Sequence, residues 1–144
     1  VNSDTISIQS IITALYDVIS GDAGESRDWD RDRALFYPNA RLVRTGVDEN
    51  GKPWALSMTV DNYIENVKDH FAKHGFFEYE TDCKIEQFGN IAHAFSTYNA
   101  KYHPDDAEPF KRGINSIQLY NDGERWWIIN ILWDNERDGN PLPS

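Results

Sequence analysis

The last long apolar segment, Arg125–Asp134 (RWWIINILWD), holds three of the chain's five tryptophans: Trp126, Trp127 and Trp133. Side chains alternate between faces along an extended strand. On that basis Trp127, Ile129, Ile131 and Trp133 share one face, while Trp126, Ile128 and Leu132 share the other, interrupted by Asn130. A strand with one wet side alternates apolar and polar residues, so this one has two faces to shelter. Helices of the same domain can cover one. The simplest cover for the other is a second copy of the chain, which predicts a homodimer that meets through its sheet.

The 144 residues predict a single domain over 1–138 followed by a tail at 139–144. Fourteen Lys and Arg against 24 Asp and Glu leave a net charge of −10. Such a field repels phosphate backbones and anionic lipid surfaces, which argues against nucleic acid or membrane as a partner. Cys83 is the only cysteine, so no disulfide can form within the chain. No apolar run reaches membrane-spanning length, and no basic-then-apolar leader is visible at Val1. The expected location is the cytoplasm; a leader removed beforehand would leave the same sequence.

Ser3 and Asp4 can cap a first helix carrying Ile8, Ile11, Ile12, Leu15, Tyr16 and Ile19 at helical spacing, with Gly21 ending it. A short second helix fits Asp28–Tyr37 and stops at Pro38. Short strands are expected at Ala40–Thr45 and Trp54–Met58. Thr59 can cap a third helix striped by Val60, Tyr63, Ile64, Val67 and Phe71. Four long strands then fill Phe76–Phe88, Ile91–His103, Phe110–Asn121 and Arg125–Asp134, with Gly89-Asn90 and Asp122-Gly123 as two-residue hairpin turns. Helices first and a long meander afterwards predict an α+β fold, a strongly bent antiparallel sheet with three helices on one face.

Counting back from Gly89-Asn90 places Glu86 opposite His93, Lys84 opposite Phe95, Glu80 opposite Asn99 and Glu78 opposite Lys101, all on a charged outer face. The inner face then carries Phe77, Tyr79, Thr81, Cys83 and Ile85 against Ala92, Ala94, Ser96, Tyr98 and Ala100, small and aromatic residues that suit a ligand pocket. Counting from Asp122-Gly123 places Arg112 opposite Trp133 as a cation–π pair. Pattern alone leaves open which face of this second hairpin lines the pocket.

Three passages, DWDRDRALFYPNARLV, FGNIAHAFSTY and RGINSIQLYNDGERWWIINILWD, together with the element order, resemble the nuclear transport factor 2-like superfamily, its SnoaL-like and lumazine-binding-like branches in particular. The resemblance covers nearly the whole chain. It implies a cystatin-like, cone-shaped barrel around an apolar pocket, often dimeric and without a cofactor. That architecture hosts isomerases, cyclases, dehydratases, dioxygenase small subunits and binding proteins, so it does not fix a reaction. The function it implies is binding of a small apolar or cyclic ligand, with cofactor-free isomerase, cyclase or lyase chemistry by proton transfer on a cyclic or polyketide-like substrate. The alternatives are a non-catalytic ligand-binding or dimeric interaction module, or the small subunit of a larger enzyme.

The resemblance also implies a pocket carboxylate partnered by Tyr or His. Asp30 is the candidate base, although Asp28 and Asp32 crowd beside it and each of the three can instead cap the helix. Tyr98 is the second catalytic candidate, as a donor to a ligand oxygen; Tyr16 and Tyr102 have the same chemistry, against the plainer role of core aromatics. The expected ligand contacts are Tyr16, Trp29, Tyr63, Tyr98, Arg112, Asn115 and Trp133. His93 reads as a cross-strand partner of Glu86. His70 and His74 have the spacing of a metal pair but no third ligand, so no metal is expected. The absence of GxSxG, P-loop and GxGxxG patterns argues against serine hydrolysis, nucleotide hydrolysis and hydride transfer through a Rossmann site.

Overall fold

The structure, a computed structural model, describes residues 2–143. Its elements are α1 (Ile8–Ile19), α2 (Trp29–Arg33), β1 (Phe36–Val47), β2 (Pro53–Met58), α3 (Val60–Lys73), β3 (Phe77–Phe88), β4 (Ile91–Lys101), β5 (Lys111–Asn121) and β6 (Trp126–Asn135). The strands form one curled six-stranded sheet in the order β2-β1-β6-β5-β4-β3. Every neighbouring pair is antiparallel except β1 and β6, which run parallel. The fold is α+β, with the helices against the concave face.

Helix α1 supplies the largest share of the helical packing, burying Ile11, Ile12, Ala14, Leu15, Tyr16, Val18 and Ile19. Ser7 caps it rather than Ser3 or Asp4: its hydroxyl accepts from the Ser10 amide while the Ser10 hydroxyl accepts from the Ser7 amide. Ser3–Thr5 form a separate 3₁₀ turn. Thr59 caps α3 in the same reciprocal way with Asn62, and α3 buries Ile64, Val67 and Phe71. Helix α2 is shorter than Asp28–Tyr37 because Leu35 turns the chain onto the sheet, where its carbonyl accepts from the Ile128 amide at 2.9 Å. Pro38 therefore lies inside β1. It falls where the β1–β6 ladder is interrupted, between the Phe36–Ile128 and Arg41–Asn130 pairs, so its missing N–H costs no ladder bond. Asn39, with φ of 66°, makes the kink.

Two unpaired residues set the facing of the rest. The first hairpin runs as counted from Phe88–Ile91 to Asp82–Thr97; a bulge at Thr81 then re-registers the strand, so that Glu80 opposes Tyr98 and Glu78 opposes Ala100. Both glutamates thereby turn from the outer face to the inner one. In the second hairpin Asn121 pairs with Trp126, so the turn spans four residues, Asp122 to Arg125, not two. The Asp122 carboxylate holds it by accepting from the Glu124 and Arg125 amides at 2.8 and 2.9 Å. A second bulge at Ile129 puts Ile128, Ile131 and Trp133 on the same side, opposite Leu119, Ile117 and Asn115. Arg112 consequently meets Glu136, bidentate at 2.8 and 2.7 Å, and does not stack on Trp133. The cation over an indole is instead Arg125 on Trp127, 3.5 Å from the ring centroid.

After the bulge the last strand has one core face, Trp126, Ile128, Ile131 and Trp133, and one outer face on which Leu132 is 47% exposed. Trp127 on that side is flanked edge-on by Tyr37 at 5.5 Å. The segment after β6 turns back, with Asn140 donating to the Asn135 carbonyl at 3.0 Å and the Leu142 amide to Glu136 at 3.3 Å.

Gly113 sits where β5 is crowded by both β6 and β4. A Cβ there would run into the Asp134 carbonyl oxygen and lie 2.5 Å from the Tyr98 hydroxyl. Gly113→Ala is expected to destabilise the fold by roughly 1–3 kcal/mol, read as a lower midpoint in urea with an unchanged slope.

Candidate functional site

The sheet curls away from α1 and α3 and leaves a cavity of about 720 Å³ between them. Apolar walls come from Leu15, Phe36, Leu42, Val67, Phe71 and Ile131, with Trp54 and Trp133 farther along. Such a volume suits a small organic molecule. The polar groups that face it include Asp32, Arg44, Tyr63, His70, Glu78, Tyr98, Lys111 and Asn115, with Asp134 and Arg137 also on its lining.

Asp32 comes from α2. Residues two apart on a helix project roughly 200° from each other, so the run Asp28, Asp30, Asp32 splits three ways. Asp28 is the cap, accepting from the Arg31 amide at 3.0 Å. The Asp30 side chain is 96% exposed, paired with Arg33 at 3.0 Å, and lies outside the cavity. Asp32 is 1% exposed. Its Oδ2 is buried and has no hydrogen-bond partner among the described residues. Burial without a compensating donor pushes its carboxyl up to about 7, with Arg33 only partly opposing this. A carboxyl in this condition is poised to give or take a proton near neutral pH.

Glu78 comes from β3 through the Thr81 bulge. Its backbone is fixed by Ser20 at the end of α1, whose hydroxyl accepts from the Glu78 amide at 3.0 Å. Desolvation pushes its carboxyl up to about 7 against the opposing pull of Lys111 and a hydrogen bond from Asn115. Glu80, one inner position along, accepts from the Ser96 hydroxyl at 2.5 Å. The chain of contacts continues from Ser96 to the Tyr16 hydroxyl at 2.7 Å and from Tyr16 to the Asn115 amide at 3.0 Å. Tyr16 thus backs the cavity wall and orients Asn115.

Tyr63 and Tyr98 line the cavity directly. Burial, reinforced by the nearby carboxyl of Glu78, drives both phenols above their ordinary range, and Asp32 adds to this at Tyr63. Both stay neutral and keep a proton that can be donated. The Tyr98 hydroxyl is already committed to Asn135 at 2.5 Å, which leaves Tyr63 as the freer phenol. Tyr63 meets the edge of Trp133 at 6.2 Å. Trp29 stacks on Phe71 at 6.2 Å behind the wall, and Arg112 is on the outer side with Glu136. His93 pairs with Glu86 at 2.8 Å, also on the outer side. His70 packs ring to ring with His74 at 4.7 Å while facing the cavity; burial and neighbouring cations lower its proton affinity.

Of the residues expected at the site, the structure brings Tyr63, Tyr98, Asn115 and Trp133 to the cavity wall and leaves Asp30, Arg112, Tyr16 and Trp29 outside or behind it. Asp32, Glu78, Arg44, His70 and Lys111 join them there. A helical wheel over residues 28–35, anchored on the buried Leu35, would have favoured Asp32 over Asp30. Glu78 carried no such signal.

No protein-family model matches this chain, and no curated protein matches it significantly. Solved structures do. A variant of a protein of unknown function from Mycobacterium tuberculosis aligns with a TM-score of 0.68 at 16% identity, over 95% of this chain and 79% of that one. A protein of unknown function with a cystatin-like fold from Nostoc punctiforme aligns at 0.67 and 10% identity, over 90% and 88%. A nuclear transport factor 2-like protein of unknown function from Pseudomonas putida aligns at 0.65 and 11%, over 94% and 90%. At these identities the likeness is one of fold.

The strained protonation of Asp32 has a thermodynamic signature. Unfolded, its carboxyl loses its proton at about pH 4, whereas the fold retains it to about 7. Its contribution to stability is therefore full below pH 4 and is lost as pH rises to 7. Asp32→Asn, which keeps the neutral shape, is expected to be more stable than the parent by roughly 1–4 kcal/mol at about pH 8, with the gap closing below about pH 4 in melting curves.

Proposed function

We infer, for a chain with the cystatin-like fold of nuclear transport factor 2-like proteins, that the cavity binds a small cyclic or polyketide-like carbonyl compound and moves a proton on it without a cofactor. The observation that carries this reading is Asp32: a buried carboxyl with an unpartnered oxygen and a proton affinity near neutrality. Retaining such a group costs stability, and a base for catalysis is the physical use that matches its condition. Asp32 takes a proton from the carbon next to the substrate carbonyl. The electron pair of that C–H bond moves toward the carbonyl oxygen, which accepts a hydrogen bond from Tyr63. Return of the proton to a different carbon, from Asp32 or from Glu78, completes an isomerisation; loss of a neighbouring leaving group instead gives elimination. Aromatic walls exclude water and keep the carboxyl's basicity high.

A general base of this kind contributes about 10²–10⁴-fold. Proton–deuterium exchange at the acidic carbon of cyclic ketones and 1,3-dicarbonyl compounds, followed by NMR in heavy water, tests the reading. Exchange by the parent protein is expected to fall by about that factor in Asp32→Asn and by less in Tyr63→Phe. Undiminished exchange in Asp32→Asn removes Asp32 from the role. Binding that raises the melting temperature with no exchange in the parent would favour a non-catalytic binding module.

The outer face of the sheet supports assembly as a homodimer. Ile91, Phe95 and Leu132 stand there 60%, 47% and 47% exposed. Phe95, Ser116 and Leu132 lie in one row across β4, β5 and β6, joined by Val43 of β1. Clustered apolar groups of this kind mark an interaction surface. Sedimentation is expected to give a dimer for the parent and a monomer for the double variant Phe95→Glu and Leu132→Asp; a monomeric parent overturns the assignment.

A further inference from the structure

One side-chain amide on the cavity wall is held in a single orientation. Asn115 of β5 opposes Ser96 of β4 across one ladder and Trp133 of β6 across the other. Tyr16 reaches it from α1, and Glu80 of β3 stands beyond Ser96. The contacts run from Glu80 to Ser96 at 2.5 Å, from Ser96 to Tyr16 at 2.7 Å and from Tyr16 to Asn115 at 3.0 Å. Ser96, Tyr16 and Asn115 are all buried, Asn115 being 7% exposed.

Each of these three contacts needs one proton. A carboxylate can only accept, so the Ser96 hydroxyl spends its proton on Glu80. Tyr16 then spends its own on the Ser96 oxygen. Neither hydroxyl has a proton left for Asn115, so the third comes from the Asn115 amide nitrogen. Turning the amide over would press its carbonyl oxygen against the Tyr16 oxygen with no hydrogen between them. Glu80 therefore dictates, three links away, which end of Asn115 faces Tyr16. The carbonyl end is left over. Among the described residues no group donates to Asn115 Oδ1, nor is that oxygen one of the sealed, unpartnered atoms. It opens onto the cavity that Asn115 lines. An acceptor fixed in such a place is satisfied by a donor on whatever fills the cavity.

We propose that Asn115 Oδ1 is the specificity-determining acceptor of the cavity and selects a cyclic carbonyl compound that also carries a hydroxyl group, with Tyr16 as its positioning residue. The proposal rests on the reading of the cavity as a site for cyclic carbonyl compounds and narrows that class to hydroxylated ones. The ligand hydroxyl donates to Asn115, and the ligand carbonyl accepts from Tyr63. Trp133, on the strand beside Asn115, and Ile131 supply apolar wall around the contact. A ligand with an ether oxygen or a bare carbon in that place strips water from the Asn115 carbonyl and returns no donor, so it binds less tightly.

Hydroxy-α-tetralones and methoxy-α-tetralones, substituted in turn at each free ring position, can be compared with α-tetralone itself by calorimetry. At least one hydroxy isomer is expected to bind the parent about fivefold more tightly than both its methyl ether and α-tetralone. In Asn115→Leu the preference is expected to vanish while α-tetralone still binds; that binding and near-ultraviolet dichroism together report that the variant is folded. Tyr16→Phe, which touches no ligand, is expected to cut the preference to less than about twofold with α-tetralone affinity retained; a purely structural loss would weaken all the probes alike. Asp32→Asn is expected to keep the preference, which separates this acceptor from the proton-transfer role. Equal binding of hydroxy and unsubstituted ketones by the parent, or a preference that survives in Asn115→Leu, overturns the proposal and leaves the cavity as a ligand site. Tighter binding of a methyl ether shows that the amide nitrogen faces the ligand and overturns it as well. A full preference in Tyr16→Phe overturns the positioning role. Failure of every ketone to bind the parent overturns the proposal together with the ligand-site reading.

Discussion

One unpaired residue in a strand reverses the facing of everything beyond it, and the chemistry of this cavity depends on two such residues. Without the bulge at Thr81, Glu78 and Glu80 would point to solvent and Tyr79 would fill the space they occupy. Without the bulge at Ile129, Trp133 and Ile131 could not share a side with Ile128. A bulge also adds twist and bends the strand. The distortions that turn acids inward are thus the same kind of distortion that curls a flat sheet around a cavity, so shape and polarity arise together.

The apolar contacts explain how the fold tolerates these acids. Ile11, Ile12, Leu35, Ile117 and Ile128 are essentially inaccessible to solvent, and burying a side chain of that size contributes about 1.5–3 kcal/mol. Such groups surround the cavity on the side of α1 and the central strands. Against that background the cost of a desolvated carboxyl at Asp32 or Glu78 is affordable without unfolding the domain. Tyr16 and Tyr98 carry no comparable penalty, since a neutral hydroxyl needs only one partner. Tyr16 has Ser96 and Asn115, and Tyr98 has Asn135.

Much of the architecture is legible in the sequence because it rests on repeating patterns. The stripe from Val60 to Phe71 marks α3, Thr59 marks its cap, and the alternation of small residues from Ala92 to Ala100 marks the inner face of β4. Gly89, at φ of 57°, marks its hairpin. The site is less legible because it depends on single events without a period. A bulge leaves no repeat to count, and the FEYETD stretch alternates so regularly that continuing the count puts its glutamates outside. The Asp122-Gly123 pair has the composition of a two-residue turn, yet the Asp122 carboxylate binds amides two and three residues ahead and widens it. Pro38 reads as a helix stop, but a ladder with a gap can accommodate it. Asp32 is hidden by two acidic neighbours of identical chemistry, and only its position relative to Leu35 distinguishes it.

Helix α2 is too short to persist alone, since a few residues cannot offset the cost of nucleation. Its orientation, and with it the aim of Asp32, is held from behind by Arg31, whose guanidinium grips Asp4 with two bonds at 2.8 and 3.0 Å and Asp17 with a third at 2.6 Å. The 3₁₀ turn that carries Asp4, 27 positions away, is therefore a brace for the cavity. Loss of the residues before Ile6 by clipping or by a cloning choice would leave every wall of the pocket in the chain and still loosen the one acid that most depends on being held still.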